Sequence, residues 1–316
     1  MRLIFMGTPE FSVPSLERLM RDGHGVAAVF TQPDKPAGRG GKVQSPAVKM
    51  VAASHGMPVY QPAKIKNNEE VREAFQSIAP DACVVAAYGK ILPEWLLQIP
   101  RLGCINVHSS LLPKYRGAAP VNWAIANGER VTGVTIMQMD PGMDTGPIWT
   151  QQATEIGPEE TAPELSERLS EMGANLLSTT LPLIEQGGGG GVATPQNDAE
   201  ATYAPILKRE HGKIDWNERA ATLANRVRGF QPWPGSYTSF KDVRIIIWRA
   251  VEVALPAETS SATPGTIASL DKSAFTVACG GNSALRIEEL QVEGKRRSGA
   301  RDFINGMRVE VGVRIG

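Results

Sequence analysis

The chain has 316 residues, of which 42% are hydrophobic and 21% are charged, with 33 basic and 33 acidic side chains. This composition is typical of a globular protein and excludes a disordered chain. The length suits two domains better than one. The sequence contains no apolar run long enough for a membrane helix, and its N-terminal apolar run is too short for a secretory signal.

Charge is unevenly distributed along the chain. Residues 207–316 carry 17 Lys and Arg against 12 Asp and Glu, a net charge of +5, and residues 1–206 carry 16 against 21, a net charge of −5. A basic C-terminal part suits a polyanionic partner, although such a surplus is also common on an ordinary solvated surface. The three cysteines, Cys83, Cys104 and Cys279, form neither a disulfide framework nor a zinc pattern, which predicts the cytoplasm as the compartment.

Strand and helix signals alternate in the first part of the chain. Short apolar runs predict strands at 2–6, 26–30, 58–61, 82–88, 103–108 and 131–139. Apolar spacings of three and four residues predict helices between these strands, and a long amphipathic helix follows at about 161–185. The alternation predicts an open, mostly parallel, Rossmann-like α/β sheet with right-handed crossovers.

The second part of the chain has a different pattern. Five consecutive glycines at 187–191 precede a polar segment, and no Gly-Lys-Ser/Thr follows them, so a linker at 187–206 is a better interpretation than a phosphate-binding loop. A helix is predicted at 218–229 and another near 299–305, and short strand-like runs occur at 243–253, 265–269, 274–280 and 284–292. Such closely spaced strands predict a small OB-like β-barrel. We therefore expect one domain at 1–186 and a smaller one at 207–316.

The segment GCINVHSSLLP at 103–113 carries the first chemical signal. Residues two apart on a strand share a face, so Asn106 and His108 project together from the end of their strand, which is where open α/β sheets bind ligands. The amide can donate to a developing oxyanion and the imidazole can move a proton, as acyl transfer requires. An isolated Asn-x-His pair, however, is more often structural.

Two aspartates, Asp140 and Asp144, flank a Pro-Gly turn after the strand at 131–139. A buried carboxylate beside His108 would fix its tautomer and stabilise its protonated form, and the residues alone do not choose between the two aspartates. No Gly-x-Ser-x-Gly turn supports a serine nucleophile at 109 or 110, and the remaining histidines are scattered, so no metal site is predicted.

Several motifs occur in an order that resembles a known family. They are RLIFMGTPEF, FTQPDKPAGRG, VVAAYGKILP, GCINVHSSLLPKYRGAAP, GVTIMQMDPGMDTG, KIDW and QPWPGSY, and the resemblance extends from residue 2 to beyond residue 300. The Asn-x-His-x-Ser-Leu-Leu-Pro and Met-Asp-x-Gly-x-Asp-Thr-Gly stretches resemble those of formyltransferases that use 10-formyltetrahydrofolate. The PAGRG loop and the C-terminal part narrow the resemblance to the methionyl-tRNA formyltransferase family.

The resemblance implies a reaction and the residues that perform it. A formyl group would pass from 10-formyltetrahydrofolate to the α-amino group of methionine on initiator methionyl-tRNA, for translation initiation. The catalytic residues of the family fall on Asn106, His108 and Asp144. Its folate-binding stretch falls on Ser110, Leu111, Leu112 and Pro113. Positions 109 and 143 are Ser and Met where the family often has Gly or Ala and Leu, and neither replaces a reacting group.

The resemblance also implies the partners. An inserted basic loop of the family reaches the acceptor end of the tRNA, and it corresponds to about residues 32–49, with Arg39 and Lys42 as the expected tRNA contacts. The OB-like domain would add salt-sensitive binding to the tRNA. We expect a monomer that acts away from membranes and uses the folate as formyl donor, without a metal.

Two other functions are also compatible with the sequence. A folate-dependent formyltransferase that acts on a small amine, such as a nucleotide sugar or glycinamide ribonucleotide, would use the same three residues, but the PAGRG loop and the basic C-terminal part would then have no role. A non-catalytic RNA-binding protein would not need the Asn, His and Asp set.

Overall fold

The structure is a computed structural model that describes residues 1–37, 42–187 and 193–316. The chain divides into two compact units. The first unit comprises Met1–Pro120, Val131–Glu155 and Ser166–Ala204, and the second comprises Val121–Arg130, Ile156–Leu165 and Pro205–Gly316.

A seven-stranded sheet forms the centre of the first unit. The strands of this unit are β1 (Arg2–Gly7), β2 (Gly25–Phe30), β3 (Lys35–Ala37), β4 (Lys42–Gln44), β5 (Val59–Tyr60), β6 (Ala82–Ala86), β7 (Cys104–His108), β8 (Arg116–Gly117), β9 (Val131–Gln138), β10 (Ile148–Glu155) and β11 (Tyr203–Ala204). The order across the sheet is β10-β9-β7-β6-β1-β2-β5. Neighbours from β7 to β5 are parallel, whereas β9 is antiparallel to both β7 and β10. The prediction of an open, mostly parallel, Rossmann-like sheet is confirmed.

Eight α-helices lie in the described part of the chain. They are α1 (Val13–Arg21), α2 (Ala47–Ser54), α3 (Glu69–Ile78), α4 (Glu94–Gln98), α5 (Pro120–Ala126), α6 (Ala162–Glu185), α7 (Ala220–Gly229) and α8 (Ala300–Met307). Helix α3 begins where Asn68 accepts a hydrogen bond from the Val71 amide at 3.1 Å, which satisfies a free N–H of the first turn. None of the described helices combines the length and the apolarity that a bilayer crossing requires.

The central strands of the first unit lie in its core. Every residue of β6 and β7 is buried, as expected of parallel strands that are covered on both faces. Helix α3 contributes Val71 and Phe75 to the apolar cluster on one of these faces. Strand β6 ends two residues earlier than its apolar run predicts, because Ala87 adopts a left-handed backbone conformation with a φ of 43°.

An antiparallel sheet forms the second unit. Its strands are β12 (Ser236–Phe240), β13 (Val243–Ala254), β14 (Ile267–Leu270), β15 (Phe275–Cys279), β16 (Ser283–Val292) and β17 (Ser298–Gly299). The order is β12-β13-β16-β15-β14, with β17 on β16. The C-terminal residues hydrogen-bond toward both edges, from Ile315 N to Gly265 O at 2.8 Å and from Gly316 N to Ser239 O at 2.9 Å. The prediction of a smaller OB-like β-barrel is confirmed.

Strand β12 has no clear signal in the sequence. Its inward-facing positions include two hydroxyl side chains, Ser236 and Thr238, so the run lacks the apolar alternation by which strands are recognised. The structure compensates for one of the buried hydroxyls, since the indole N–H of Trp216 donates to Thr238 Oγ1 at 3.3 Å. Strand β10 is polar and largely exposed and is missed for the same reason.

Part of the segment expected as a linker belongs to the first unit. Thr194 exchanges two backbone hydrogen bonds of 2.8 Å with Ile148, at the start of β10. Strand β11 then pairs in parallel with β8. Residues 193–204 therefore return to the sheet of the first unit. Most of the glycine run, 188–191, lies outside the described residues.

Candidate active site

Asn106 and His108 lie on β7, between β6 and β9. Their side chains are 9% and 6% exposed, so both polar groups are almost removed from water. In register, Asn106 pairs with Val85 of β6 and with Met137 of β9. His108 is the last residue of its strand. Both side chains therefore lie at the carboxyl edge of the parallel strands, where open sheets bind ligands.

Asp144 meets this pair from the loop between β9 and β10. Its Oδ1 lies 3.5 Å from Asn106 Nδ2, which is a long hydrogen bond, and its Oδ2 lies 3.7 Å from His108 Nδ1. The carboxylate side chain is 17% exposed. A carboxylate at this distance stabilises a positive charge on the imidazole. The structure thus brings together the three residues that the family resemblance singled out.

Asp140, the alternative carboxylate, is engaged elsewhere. Its Oδ1 accepts hydrogen bonds from the Gly142 amide at 3.1 Å and from the Thr145 hydroxyl at 2.7 Å. Both donors belong to the same turn, so this side chain organises the loop that carries Asp144. Of the two aspartates, it is therefore Asp144 that the loop places beside His108.

The tautomer of His108 follows from its second contact. Nε2 lies 3.0 Å from the backbone oxygen of Tyr115. A carbonyl oxygen only accepts, so Nε2 carries the proton and donates it to this hydrogen bond. In the neutral imidazole, Nδ1 is then the nitrogen with a free lone pair, and it is this nitrogen that faces Asp144. The ring is therefore oriented with Nε2 toward the Tyr115 carbonyl and Nδ1 toward Asp144.

Gly117 is the second backbone partner of the site. Its amide donates to Asp144 Oδ2 at 2.8 Å, on strand β8. Its φ is 120°, and a Cβ at this position would lie 2.8 Å from the backbone oxygen of Ala204. Only glycine fits this backbone without strain. Sequence reasoning missed Tyr115 and Gly117 because both contact the site through backbone atoms, which leave no side-chain signal.

The comparisons with known proteins identify the family. The formyl transferase family matches residues 1–181, and the formyl transferase C-terminal domain matches residues 206–308. A methionyl-tRNA formyltransferase of Koribacter versatilis is 50% identical over 316 residues, which are 100% of this chain and 99% of that protein. A second one, of Geobacter metallireducens, is 48% identical over 314 residues, which are 99% of this chain and 98% of that protein. The chain belongs to the methionyl-tRNA formyltransferase family.

A solved structure with low sequence identity supports the fold of the family. It is an N-formyltransferase of Helicobacter canadensis in complex with folinic acid and dTDP-3-aminofucose. The two chains superimpose with a TM-score of 0.66 at 18% identity, over 90% of this chain and 98% of that one. At this identity the likeness concerns the fold.

The stretch that the family resemblance assigns to folate forms a tightly bonded turn after β7. The Ser110 hydroxyl donates to Lys114 O at 2.6 Å, and Ser110 O accepts from the Thr135 hydroxyl at 2.7 Å. Thr135 Oγ1 also accepts from the Leu112 amide at 3.1 Å. The polar atoms of this turn are thus used internally, Leu112 is buried, and Leu111 and Pro113 remain partly exposed.

The segment that follows β6 leaves the same edge of the sheet. Ala86 O accepts from the Ser12 hydroxyl at 2.6 Å, and Tyr88 O accepts from Gln32 Nε2 at 3.0 Å. Burial raises the pKa of the Tyr88 phenol, which keeps it neutral. Beyond it, the Ile91 side chain is 89% exposed. The backbone of this segment is therefore fixed, while some of its apolar surface stays open.

Of the two expected tRNA contacts, only Lys42 lies within the described residues. Arg39 lies outside the described residues. Lys42 is the first residue of β4, which pairs with β3 in a short hairpin. Before this hairpin, Asp34 binds Lys49 Nζ at 2.7 Å, and this hydrogen bond lowers the pKa of the Asp34 carboxyl. Among the described residues, no group of three or more His, Cys, Asp or Glu side chains could hold a metal ion.

Proposed function

We propose that the protein transfers the formyl group of 10-formyltetrahydrofolate to the α-amino group of methionine on initiator methionyl-tRNA, which prepares this tRNA for translation initiation. The observation that carries the proposal is the contact of Asn106, His108 and Asp144 at the carboxyl edge of the sheet. The two relatives described above are named for this activity and match nearly the whole chain.

Asn106 is suited to stabilise the charge that develops on the formyl oxygen. A carboxamide has two N–H donors, and only one of them faces Asp144 Oδ1. The other remains for an oxygen that becomes negative when the amine attacks the formyl carbon. A fixed donor in a nearly water-free site is worth far more than the same donor in water.

His108 is suited to manage the proton of the reaction. The attacking amine must lose a proton, and the nitrogen of the folate must gain one as its bond to the formyl carbon breaks. Nδ1 can take up and return this proton because Tyr115 O holds Nε2 as a donor. Asp144, 3.7 Å from Nδ1, stabilises the imidazolium in between. The products are the N-formylated aminoacyl-tRNA and tetrahydrofolate.

The surfaces around these residues fit a flat, largely apolar donor. Val85 and Asn106 are in register, so the segments that follow β6 and β7 leave the sheet side by side. Leu111 and Pro113 on one segment and Ile91 on the other keep exposed apolar surface. When bound, the folate supplies an activated formyl group. We assign its binding to the stretch Ser110, Leu111, Leu112 and Pro113.

Recognition of the tRNA is assigned to two other parts of the chain. The loop at about 32–49 would contact the acceptor end through Arg39 and Lys42, and the surplus of basic residues in 207–316 would bind phosphates without reading sequence. We propose that the catalytic domain is 1–186 together with 193–204, which returns to the first unit, and that 207–316 is the tRNA-binding domain. We further propose that the protein acts as a monomer in the cytoplasm.

A transfer assay tests the proposed function. Purified protein and 10-formyltetrahydrofolate are incubated with charged initiator tRNA, charged elongator tRNA, glycinamide ribonucleotide or an amino-sugar nucleotide, and the formylated product is measured. We expect turnover with the initiator tRNA to exceed turnover with each other acceptor. Preference for a small amine would replace the proposal by the small-amine alternative, and no transfer to any acceptor would favour a binding protein.

A further inference from the structure

We propose that Gln196, oriented by Arg116, positions the loop of Asp144 for catalysis. Neither residue belongs to the catalytic or substrate-binding set assigned above. The inference deepens the proposed function and rests on it for its kinetic consequence, whereas its structural consequence can be measured without any substrate.

Gln196 holds the backbone of the loop between β9 and β10 (the catalytic loop) on either side of Thr145. Its Nε2 donates to the backbone oxygen of Asp144 at 2.8 Å and to that of Gly146 at 2.7 Å. A side-chain amide has two N–H groups, and both are used here. The residue arrives from the segment 193–204, which returns to the first unit after the glycine run.

Arg116 determines which end of the Gln196 amide faces the loop. Its Nε and Nη2 donate to Gln196 Oε1 at 3.0 and 2.7 Å. A guanidinium group only donates, so the carbonyl end of the amide must face it and the NH₂ end must face the loop. Arg116 is 3% exposed, and its charge is partly balanced by Asp198, whose Oδ1 lies 2.8 Å from Nη2. The amide therefore cannot turn over.

The loop needs this restraint because of the conformation of Asp144. Its φ is 54°, in the left-handed region, which carries an energetic cost for a non-glycine residue although aspartate tolerates it better than most. This backbone conformation directs the carboxylate toward Asn106 and His108. The Gly117 amide restrains the side chain, and Gln196 restrains the backbone. A displacement of about 1 Å in such an arrangement can lower a rate by about 10²-fold.

Both ends of Gln196 are occupied by the protein itself, so the side chain has no group left to offer a substrate. Its effect must pass through Asp144, which makes it a positioning residue. This assignment predicts a change in turnover with little change in substrate binding.

The variant Gln196→Glu tests whether the two N–H donors of Gln196, rather than the volume of its side chain, are needed for turnover. The new carboxylate keeps the size of the side chain and still binds Arg116, but it has no N–H for the two backbone oxygens. We expect kcat for formylation to fall by about 10- to 100-fold, with KM for both substrates changed by less than about twofold. Gln76→Glu is the matched control, because it makes the same chemical change at an exposed position of α3 and should leave kcat unchanged.

A second measurement follows the imidazole directly. The chain has four histidines, so the ring ¹⁵N signals of the labelled protein form a small set, and the His108 signals are assigned by their loss in His108→Gln. Gln196→Glu should shift the His108 Nδ1 signal and leave those of His24, His55 and His211 in place. If Gln196→Glu does not fold, Gln196→Met removes the same two donors without adding a charge.

The two measurements decide the proposal together. A lower kcat with a shifted His108 signal supports it. An unchanged His108 signal in a folded variant overturns it, whatever the turnover. If the wild-type protein does not formylate methionyl-tRNA, the proposed function fails, and the ¹⁵N signals still decide whether Gln196 positions Asp144 beside His108.

Discussion

The two units differ in the polar groups that they bury. Within the described residues, the buried polar side chains of the first unit are Ser12, Ser15, Thr31, Asn106, His108, Ser110, Arg116, Thr132, Thr135, Ser170 and Thr180. Those of the second unit are Gln231, Ser236, Thr238 and Thr276. The first set includes an imidazole and a guanidinium, and the second is limited to hydroxyls and one carboxamide. Asn106, His108 and Arg116 each have hydrogen-bond partners that fix the geometry of their side chains, so the groups that we propose for catalysis and positioning are held rigidly in the first unit.

The second unit instead keeps its charges on its surface. Arg226 binds Glu218 at 2.7 Å and Arg249 binds Glu288 at 3.0 Å, with side chains that are about 30 to 53% exposed. Exposed pairs of this kind contribute little to the free energy of unfolding. Its stability comes from the apolar cluster of α7, α8 and the antiparallel strands. The surplus of basic over acidic residues in 207–316 is the feature to which we assign phosphate binding.

The comparison predicts that the largest loss of activity comes from the first unit. Asn106→Ala removes the proposed oxyanion donor and should lower kcat by about 10²- to 10³-fold, with the affinity for the folate retained. Steady-state kinetics and folate titration measure the two quantities. Asn305→Ala, at an exposed position of α8, is the control. Near-normal turnover of a folded Asn106→Ala variant would contradict the role of this amide.

Substitutions at the two aspartates of the catalytic loop should differ strongly in their effect on kcat. Asp144→Asn removes the charge that faces His108 and should lower kcat by about 10²-fold or more. Asp140→Asn keeps an oxygen that can accept from Gly142 and Thr145, so its turnover should remain within about threefold of wild type. The same kinetic assay measures both variants. Equal losses would mean that the loop, rather than the charge of Asp144, matters.

These two aspartates also illustrate how far sequence reasoning extends. The shared face of Asn106 and His108 follows from the two-residue period of a strand, which is a local property. The choice between Asp140 and Asp144 depends on a left-handed residue and on the backbone of Gly117, which is distant in the chain. No local pattern in the sequence distinguishes the two aspartates, and only the family resemblance does.

Gln196 shows a further reason why part of the site could not be predicted. It lies 52 residues from Asp144, in a polar segment whose composition predicts a linker. Most strands and helices, in contrast, were predictable because their apolar periodicity is local. The exceptions are polar strands such as β10 and β12, in which tertiary hydrogen bonds replace the apolar pattern.

A glycine in each unit allows the cost of adding a side chain to the backbone to be compared. Gly117→Ala would bring a Cβ within 2.8 Å of a backbone oxygen at a φ of 120°, and it should lower the free energy of unfolding by about 3 kcal/mol. Gly294, with a φ of 75°, has open space around it, so Gly294→Ala should cost about 1 kcal/mol. Urea unfolding measures both. A smaller effect at Gly117 would show that β11 can move away from β8.

The proposed division of labour predicts a change in tRNA affinity alone. Arg39→Ala should raise KM for methionyl-tRNA by about 10-fold and leave the affinity for the folate unchanged, because it removes one contact to the acceptor end. The KM of wild type should also rise steeply with salt concentration, since phosphate contacts release counterions. Lys66→Ala, an exposed basic residue before α3, is the control. An equal loss of folate and tRNA binding would contradict the assignment of this loop.

The smallest expected difference is in stability: the second unit should unfold at a slightly lower urea concentration than the first. Cys83 and Cys104 are buried in the first unit and Cys279 in the second, where burial raises the pKa of the Cys279 thiol to about 12. All three side chains are buried, so a thiol reagent at pH 8 should reach each of them only when its unit opens. The second unit is the smaller one and buries less surface, so Cys279 should be labelled at a lower urea concentration than the other two. Mass spectrometry of labelled peptides gives the order. Simultaneous labelling of all three would mean that the two units unfold as one cooperative structure.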